Sequence, residues 1–92
     1  MEKLNILNFE SLKEKGHYKQ IVPLILFLEK QEKQISLPDL ASVLKMKRNK
    51  ILNLARRLEP FDVIASIKIA DEYHYSLNDK GREFAKFIKE NG

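Results

Sequence analysis

The chain has 92 residues, of which 43% are hydrophobic and 33% charged, and its formal net charge is +4. This length and composition predict one folded domain over residues 1–92 with a small core, and they exclude a disordered polar tail. The absence of cysteine excludes disulfide bonds and thiolate metal sites.

The N-terminal stretch predicts an amphipathic helix over about residues 3–15. Apolar residues recur there at roughly helical spacing, and Gly16 is a suitable stop signal. The apolar positions of this helix are Leu4, Leu7, Phe9 and Leu12.

The next predicted helix contains the longest apolar run, residues 21–28. So many successive apolar residues predict a central helix that is packed on most sides. Pro23 either begins this helix or kinks it, and the sequence does not decide between the two. The run is far shorter than the roughly 20 residues that span a bilayer. No signal-peptide pattern precedes it, so we expect a cytoplasmic protein with no membrane partner.

Two short helices joined by a tight link follow. Ser36 is a good N-cap and Pro38 a good first-turn residue, which predicts the first of these helices over 37–44. The second is predicted over about 47–58, with Pro60 closing it. Its apolar residues, at relative positions 0, 3, 4 and 7, are Ile51, Leu54, Ala55 and Leu58.

Basic residues concentrate in the second of these helices. Six of the chain's seventeen Lys and Arg residues lie between positions 45 and 57, where there is no Asp or Glu. The rest of the chain holds eleven cations and thirteen acids, so the net positive charge is confined to this basic patch and the remainder is slightly acidic. Such a patch indicates a polyanionic partner, although a solvated helix face is the simpler interpretation of charge alone. Two short helices of which the second is basic are the layout of a helix-turn-helix.

The period of the apolar pattern changes from helical to alternating after residue 63. Alternation over 63–70 and 73–77 predicts a β-hairpin that turns near Asp71 and Glu72. A C-terminal helix then follows over about 79–90, and its apolar residues are Phe84, Phe87 and Ile88. The predicted fold class is α+β, mainly α, with a short two-stranded hairpin and flanking N- and C-terminal helices.

Three segments resemble the winged helix-turn-helix transcription regulators of the MarR-like and PadR-like kind. They are LASVL (40–44), RNKILNLARRL (48–58) and YSLNDKGRE (75–83), within a match that runs from about residue 37 to 87. The resemblance implies a winged helix-turn-helix in which the helix of about 47–58 enters the major groove of double-stranded DNA. The departures from the usual residues are Lys45 and Asp62 for glycine, Lys47 for a Ser or Thr cap, and Asn78 for Thr.

The side-chain types on the exposed side of this recognition helix suit DNA. Arg pairs with guanine and Asn with adenine through two hydrogen bonds, whereas Lys more often contacts phosphate. The base-reading candidates are Arg48, Asn49, Leu52, Asn53 and Arg56. The phosphate candidates are Lys45, Lys47, Lys50, Arg57, Lys68 and His74. Leu52 is apolar, so either it touches a thymine methyl or this side of the helix meets protein.

The predicted hairpin tip carries two acids, Asp71 and Glu72, where DNA-gripping wings carry Arg or Lys. Phosphate repels acids, so we expect the recognition helix to dominate binding and the wing to contribute little. Lys68 and His74, which we expect on the outer side of the strands, compensate in part.

The terminal helices carry more apolar surface than a small monomer is expected to cover. Since relatives dimerise through terminal helices, the resemblance implies a homodimer and an inverted-repeat DNA site. The alternative is that a terminal helix folds back on its own core. The predicted dimerisation residues are Leu4, Leu7, Phe9, Leu12, Phe84, Phe87 and Ile88.

No pattern of catalytic or metal-binding residues is present, so we expect no enzyme, no cofactor and no metal site. His17 and His74 have no neighbouring ligands at metal spacing, and the three glycines form no phosphate loop. The aromatic residues Tyr73, Tyr75, Phe84 and Phe87 are predicted to pack in the core.

The prediction is therefore a small dimeric transcription regulator that binds DNA sequence-specifically. Two other functions stay open. The first is DNA organisation or plasmid partition, in which the protein spreads on DNA and contacts partner proteins. The second is a winged-helix module that binds a protein partner, which Leu52 and the acidic hairpin tip favour.

Overall fold

The structure, a computed structural model, describes residues 17–91. The helix predicted over about residues 3–15 lies outside this range, as do Leu4, Leu7, Phe9 and Leu12. The helices described are α1 (Tyr18–Glu29), α2 (Leu37–Leu44), α3 (Arg48–Leu58) and α4 (Asp79–Asn91). The strands are β1 (Ile35–Ser36), β2 (Ile64–Ile69) and β3 (Glu72–Leu77). The predicted α+β class, mainly helical with a winged helix-turn-helix arrangement, is confirmed.

Helix α1 is the central helix of the core, as predicted. It begins at Tyr18, so Pro23 lies inside it and is exposed to solvent. Because proline lacks an N–H, this position costs α1 one backbone hydrogen bond on its solvent side. The residues that α1 buries are Ile21, Leu24, Ile25 and Leu28. No helix in the described part of the chain is long and apolar enough to span a membrane.

Helix α2 spans Leu37–Leu44, which matches the predicted bounds. The Ser36 hydroxyl accepts a hydrogen bond from the Asp39 N–H at 3.3 Å, so the predicted N-cap is confirmed. The helix ends where Lys45 adopts a left-handed conformation with φ 56°. This backbone geometry explains why related turns carry glycine, since a left-handed residue with a Cβ is strained.

A short 3-10 turn continues the chain after α3, which ends at Leu58. The turn spans Glu59–Phe61 and includes Pro60, the residue predicted to close the helix. Asp62 follows in a second left-handed conformation, with φ 57°. The two glycine positions of the family pattern, at Lys45 and Asp62, are therefore both left-handed here.

Within residues 17–91 the sheet has three antiparallel strands in the order β1-β3-β2, so the predicted two-stranded hairpin is confirmed and β1 adds a strand that was not predicted. Strand β1 pairs with β3 and places Ile35 opposite Tyr75. The hairpin turn is also one residue earlier than predicted. It consists of Ala70 and Asp71, whose φ angles of 50° and 65° are those of a type I′ turn. Glu72 belongs to β3, where it pairs with Ile69.

Directly paired residues lie on the same face of a sheet, so the register defines two faces of the hairpin. The inner face, which continues into the core, carries Ile64, Ser66, Lys68, Tyr73, Tyr75 and Leu77. The outer face carries Ala65, Ile67, Ile69, Glu72, His74 and Ser76.

The hairpin projects beyond the core near its turn. Ile67 and Ile69 are 51% and 42% exposed, so the rest of the described chain leaves this part of the outer face largely uncovered. The predicted core position of Tyr73 is wrong, since this ring lies close to the turn and is 41% exposed. Tyr75, which lies nearer the core on the same face, is buried.

The start of α4 is fixed against the start of β2 by Asn78 and Gly81. The Asn78 side chain accepts from the Gly81 N–H at 2.9 Å and donates to the Asp62 carboxylate at 3.3 Å. A Cβ added to Gly81 would lie 1.9 Å from the carbonyl oxygen of Val63. Only glycine therefore allows α4 to approach the β2 backbone this closely.

We predict that Gly81→Ala lowers the free energy of unfolding by about 3 kcal/mol, the upper part of the range for overpacking, because the added methyl group meets backbone. Denaturant unfolding followed by circular dichroism measures this change. Arg82→Ala, at an exposed neighbouring position, is the control. Equal stability of the two variants would contradict the close approach of Gly81 to Val63.

Candidate nucleic-acid interface

Helix α3 is held in one orientation by the core. Ile51, Leu54, Ala55 and Leu58 are buried, as predicted. At about 100° per residue, the opposite side of the helix is centred on Asn49, Asn53 and Arg56. Arg48 and Arg57 are also exposed, whereas Lys50 is half-buried. The exposed side of α3 therefore carries only amide and guanidinium groups.

Leu52 lies on the flank of α3 that faces the hairpin. It is half-buried, packs against the core, and lines a small crevice between the helix and the inner face of the sheet. Arg56 and Glu59 come four and seven residues after Leu52. They lie on the same flank and line the same crevice. The apolar side chain at position 52 is thus explained by contact within the chain.

An aromatic pair forms the hairpin side of this crevice. The rings of Tyr73 and Tyr75 are stacked, with centroids 6.3 Å apart and an interplanar angle of 21°. The Lys68 ammonium lies 5.6 Å from the centroid of the exposed Tyr73 ring, within cation–π distance. Arg56 on α3 and Lys68 on β2 therefore flank a pair of tyrosines between helix and hairpin.

The charges around the crevice act on the Tyr75 hydroxyl. Burial raises the pKa of Tyr75 above its ordinary value, and Tyr73 and Glu59 raise it further. The positive charge of Arg56 acts in the opposite direction, because it stabilises the phenolate. Arg56 is therefore placed near the hairpin as well as on the exposed side of α3.

Three of the predicted phosphate contacts, Lys45, Lys47 and Lys50, surround the start of α3. Lys45 and Lys47 are exposed, and the helix begins at Arg48, one residue later than predicted. Lys47 occupies the N-cap position with φ −69° and ψ 148°, but its side chain makes no capping hydrogen bond. Ser36 caps α2 with nearly the same backbone angles, φ −68° and ψ 153°.

The two predicted hairpin contacts, Lys68 and His74, lie on opposite faces of the sheet. Lys68 is on the inner face beside Tyr73, so its expected position on the outer side is wrong. His74 is on the outer face, where its Nδ1 donates to the Glu72 carbonyl oxygen at 3.1 Å. The structure thus brings Lys68 toward α3 and leaves His74 on the far side of the hairpin.

The predicted dimerisation residues of α4 are largely internal. Phe84 and Ile88 are 0% and 4% exposed and belong to the chain's own core, whereas Phe87 is half-buried. The end of α4 is tied to the end of α1 by an ion pair of 2.7 Å between Lys89 and Glu29. For α4, this placement agrees with the alternative of a helix folded back on its own core.

One further groove and the possibility of a metal site bear on ligand binding. A groove lined by residues 31–34 with Ser76, Leu77 and Arg82 is open and carries both signs of charge. Among residues 17–91, no three His, Asp or Glu side chains are close enough together to hold a metal ion. The sequence did not reveal that Tyr73 is exposed beside α3. Its alternation with Tyr75 indicated a buried side chain, but alternation carries no information about distance from the core.

Comparison with known proteins identifies the fold. No protein-family profile matches the chain, and no curated protein matches it. Solved structures of MarR-family regulators do match it, at the low sequence identity that supports a shared fold alone. The resemblance to MarR-like winged-helix regulators is therefore confirmed as a structural likeness.

Three of these structures define the extent of the likeness. CouR from Rhodococcus jostii RHA1, bound to p-coumaroyl-CoA, matches with a TM-score of 0.73 at 14% identity over 88% of this chain and 57% of its own. S. aureus MepR in its DNA-binding conformation matches with a TM-score of 0.72 at 16% identity over 97% of this chain and 68% of its own. The S. aureus MepR–DNA complex matches with a TM-score of 0.66 at 16% identity over 97% and 73%. This chain spans little more than half the length of CouR.

The uncapped start of α3 generates a stability prediction. Lys47→Ser should raise the free energy of unfolding by about 1 kcal/mol relative to Lys47→Ala, because a hydroxyl at the N-cap can accept an N–H of the first turn, as Ser36 accepts that of Asp39. Both variants remove the same charge, so the difference between them isolates the cap. Thermal unfolding of the pair measures it, and identical midpoints would contradict the capping geometry at residue 47.

Proposed function

We propose that the chain is a small dimeric transcription regulator that binds double-stranded DNA sequence-specifically through α3. One observation carries this proposal. Four buried apolar residues fix the rotation of α3, and the side turned to solvent then presents Arg and Asn without any acid between positions 45 and 57. A major groove admits such a helix and offers acceptors and donors that match these side chains.

In this proposal some residues of α3 contact DNA bases and others contact phosphates. Arg48, Asn49 and Asn53 read base edges, since their groups make paired hydrogen bonds with guanine or adenine. Arg56 lies between this side of the helix and the hairpin, so it reaches either a base or the adjacent phosphate. The phosphate contacts are Lys45, Lys47, Lys50, Arg57 and Lys68.

The inner face of the hairpin adds a second contact to this surface. Tyr73 lines the crevice together with Arg56, and the Lys68 ammonium lies over the Tyr73 ring. An ammonium and a phenol can both donate to phosphate oxygens. His74 faces away from α3, so we assign it no phosphate contact. The DNA backbone would then run between helix and hairpin, while the acidic turn stays clear of it.

The structural neighbours support this function by analogy of fold. MepR has been solved in complex with DNA, and MepR and CouR are MarR-family regulators. A two-fold dimer of this chain would set two α3 helices about 34 Å apart and read an inverted repeat. Of the predicted interface on α4, Phe87 is the residue with accessible apolar surface.

The proposal predicts steeply salt-dependent binding to duplex DNA. In fluorescence anisotropy with labelled random-sequence duplex, Arg48→Ala and Arg56→Ala should each weaken binding. For Arg56, which can reach phosphate, the slope of log affinity against log salt should also fall by about 1. Arg82→Ala removes an exposed cation beside the other groove and should change neither value. Absence of binding even at low salt would favour the protein-interaction alternative.

The acidic turn generates a separate prediction. Asp71→Asn, which keeps a residue tolerant of left-handed backbone, and Glu72→Gln should leave DNA affinity and its salt slope unchanged if the turn stays away from phosphate. The same anisotropy titrations measure both quantities. A clear gain in affinity on removal of either charge would mean that the turn approaches DNA and opposes its binding.

A further inference from the structure

Strand β2 has an apolar outer side and an open edge. In the sheet order β1-β3-β2 it is a terminal strand, and within residues 17–91 no strand pairs with its other edge. Its outer face presents Ile67 and Ile69, which are among the most exposed large hydrophobic residues of the described chain. Exposed edges with apolar side chains are the sites at which sheets pair with another chain.

The hairpin geometry determines which backbone groups this edge offers. Ile69 and Glu72 flank the two-residue turn and are paired with each other. In such a hairpin this closing pair exchanges its backbone hydrogen bonds, and bonded pairs recur at every second residue. The N–H and C=O groups of Ile64, Ser66 and Lys68 therefore point away from β3 and toward the open edge.

The open edge of β2 carries only one of the usual guards of an edge strand. Residues 64–69 contain no proline, but Lys68 is an inward-pointing lysine, a residue that discourages edge pairing. Its ammonium lies over the Tyr73 ring, so its charge is held toward β3 and not across the open edge. A strand that pairs with this edge must therefore keep its own cations away from this single charge.

We propose that the open edge of β2 pairs antiparallel with β2 of a second copy of this chain. The two hairpins then form one continuous sheet, and the exposed isoleucines of the two copies share an apolar outer surface. A second copy fits this edge because, when two β2 strands pair antiparallel, apolar residues can lie opposite apolar residues while Lys68 lies opposite no cation. This contact goes beyond the proposed DNA binding, and its apolar part lies on the outer face of the hairpin, opposite the face that meets α3.

One register satisfies this pattern best. Centred on Ile67, a two-fold pairing sets Ile67 opposite its own copy and Ile69 opposite Ala65, which keeps apolar groups together on the outer face. On the inner face Lys68 lies opposite Ser66, so no like charges meet. A register centred on Lys68 would oppose two ammonium groups directly and is disfavoured.

A six-residue strand makes a small contact, so pairing through this edge is weak between free molecules. Molecules bound side by side on DNA are held at high effective concentration, which raises the fraction of edges that pair. The contact would therefore let bound copies join along DNA, as a spreading or bridging protein requires.

The register makes a disulfide test decisive. Ile67 falls in a non-hydrogen-bonded pair, where Cα atoms lie about 4.5 Å apart, within the roughly 4.4–6.8 Å that a disulfide spans. Because the chain contains no cysteine, Ile67→Cys supplies a unique thiol. Under mild oxidation of the free full-length protein we expect disulfide-linked dimers from Ile67→Cys, and faster linkage when DNA is added.

Two single-cysteine variants serve as controls, because they distinguish pairing of the β2 edges from random collision of exposed thiols. Val43→Cys stands at an equally exposed apolar position on α2, 53% against 51%, outside the hairpin. Lys68→Cys lies next to Ile67 but out of register with its own copy. Linkage of Ile67→Cys well ahead of both supports the proposal. Equal linkage of all three, or none at Ile67→Cys, would overturn it without bearing on DNA binding by α3.

Discussion

The burial of one side of α3 is the constraint on which the candidate site depends. Leu54 and Leu58 are almost fully excluded from solvent, and Ile51 and Ala55 complete the same stripe. Rotating the helix by one residue would expose part of this stripe and bury a guanidinium or an amide, at a cost of several kcal/mol. The direction in which Arg and Asn face solvent is therefore a consequence of core packing.

A second constraint positions the hairpin relative to α3. Gly81 lets α4 approach the Val63 carbonyl, and Asn78 links the helix start to the left-handed Asp62. These contacts hold the first residues of β2 against α4, and Tyr75 packs the inner face into the core. The crevice between Arg56 and the tyrosines exists because both walls are anchored separately to the same core.

Features set by local chemistry could be predicted from the sequence, whereas those set by register could not. Ser36 caps α2 through an N–H three residues away, and the apolar spacing of α3 defines its buried side. Strand β1 has two residues, too few for any alternation to be seen. Alternation along β2 also cannot say which face meets the core. That face was fixed by pairing with β3, which left Ile67 outside.

The composition of the hairpin follows from the different demands on its two faces. Its inner face carries a cation and two tyrosines beside α3, groups that suit a phosphate backbone. Its turn and outer face carry the acids Asp71 and Glu72, which phosphate repels, and the apolar residues Ile67 and Ile69, which offer phosphate no donor. His74 and Ser76 share the outer face, but the His74 Nδ1 already donates to the Glu72 carbonyl oxygen. An outer face built for DNA would need donors where Ile67 and Ile69 stand. Apolar side chains beside backbone groups that point away from β3 instead suit contact with protein, so under the two proposals the two faces of one hairpin meet two kinds of partner.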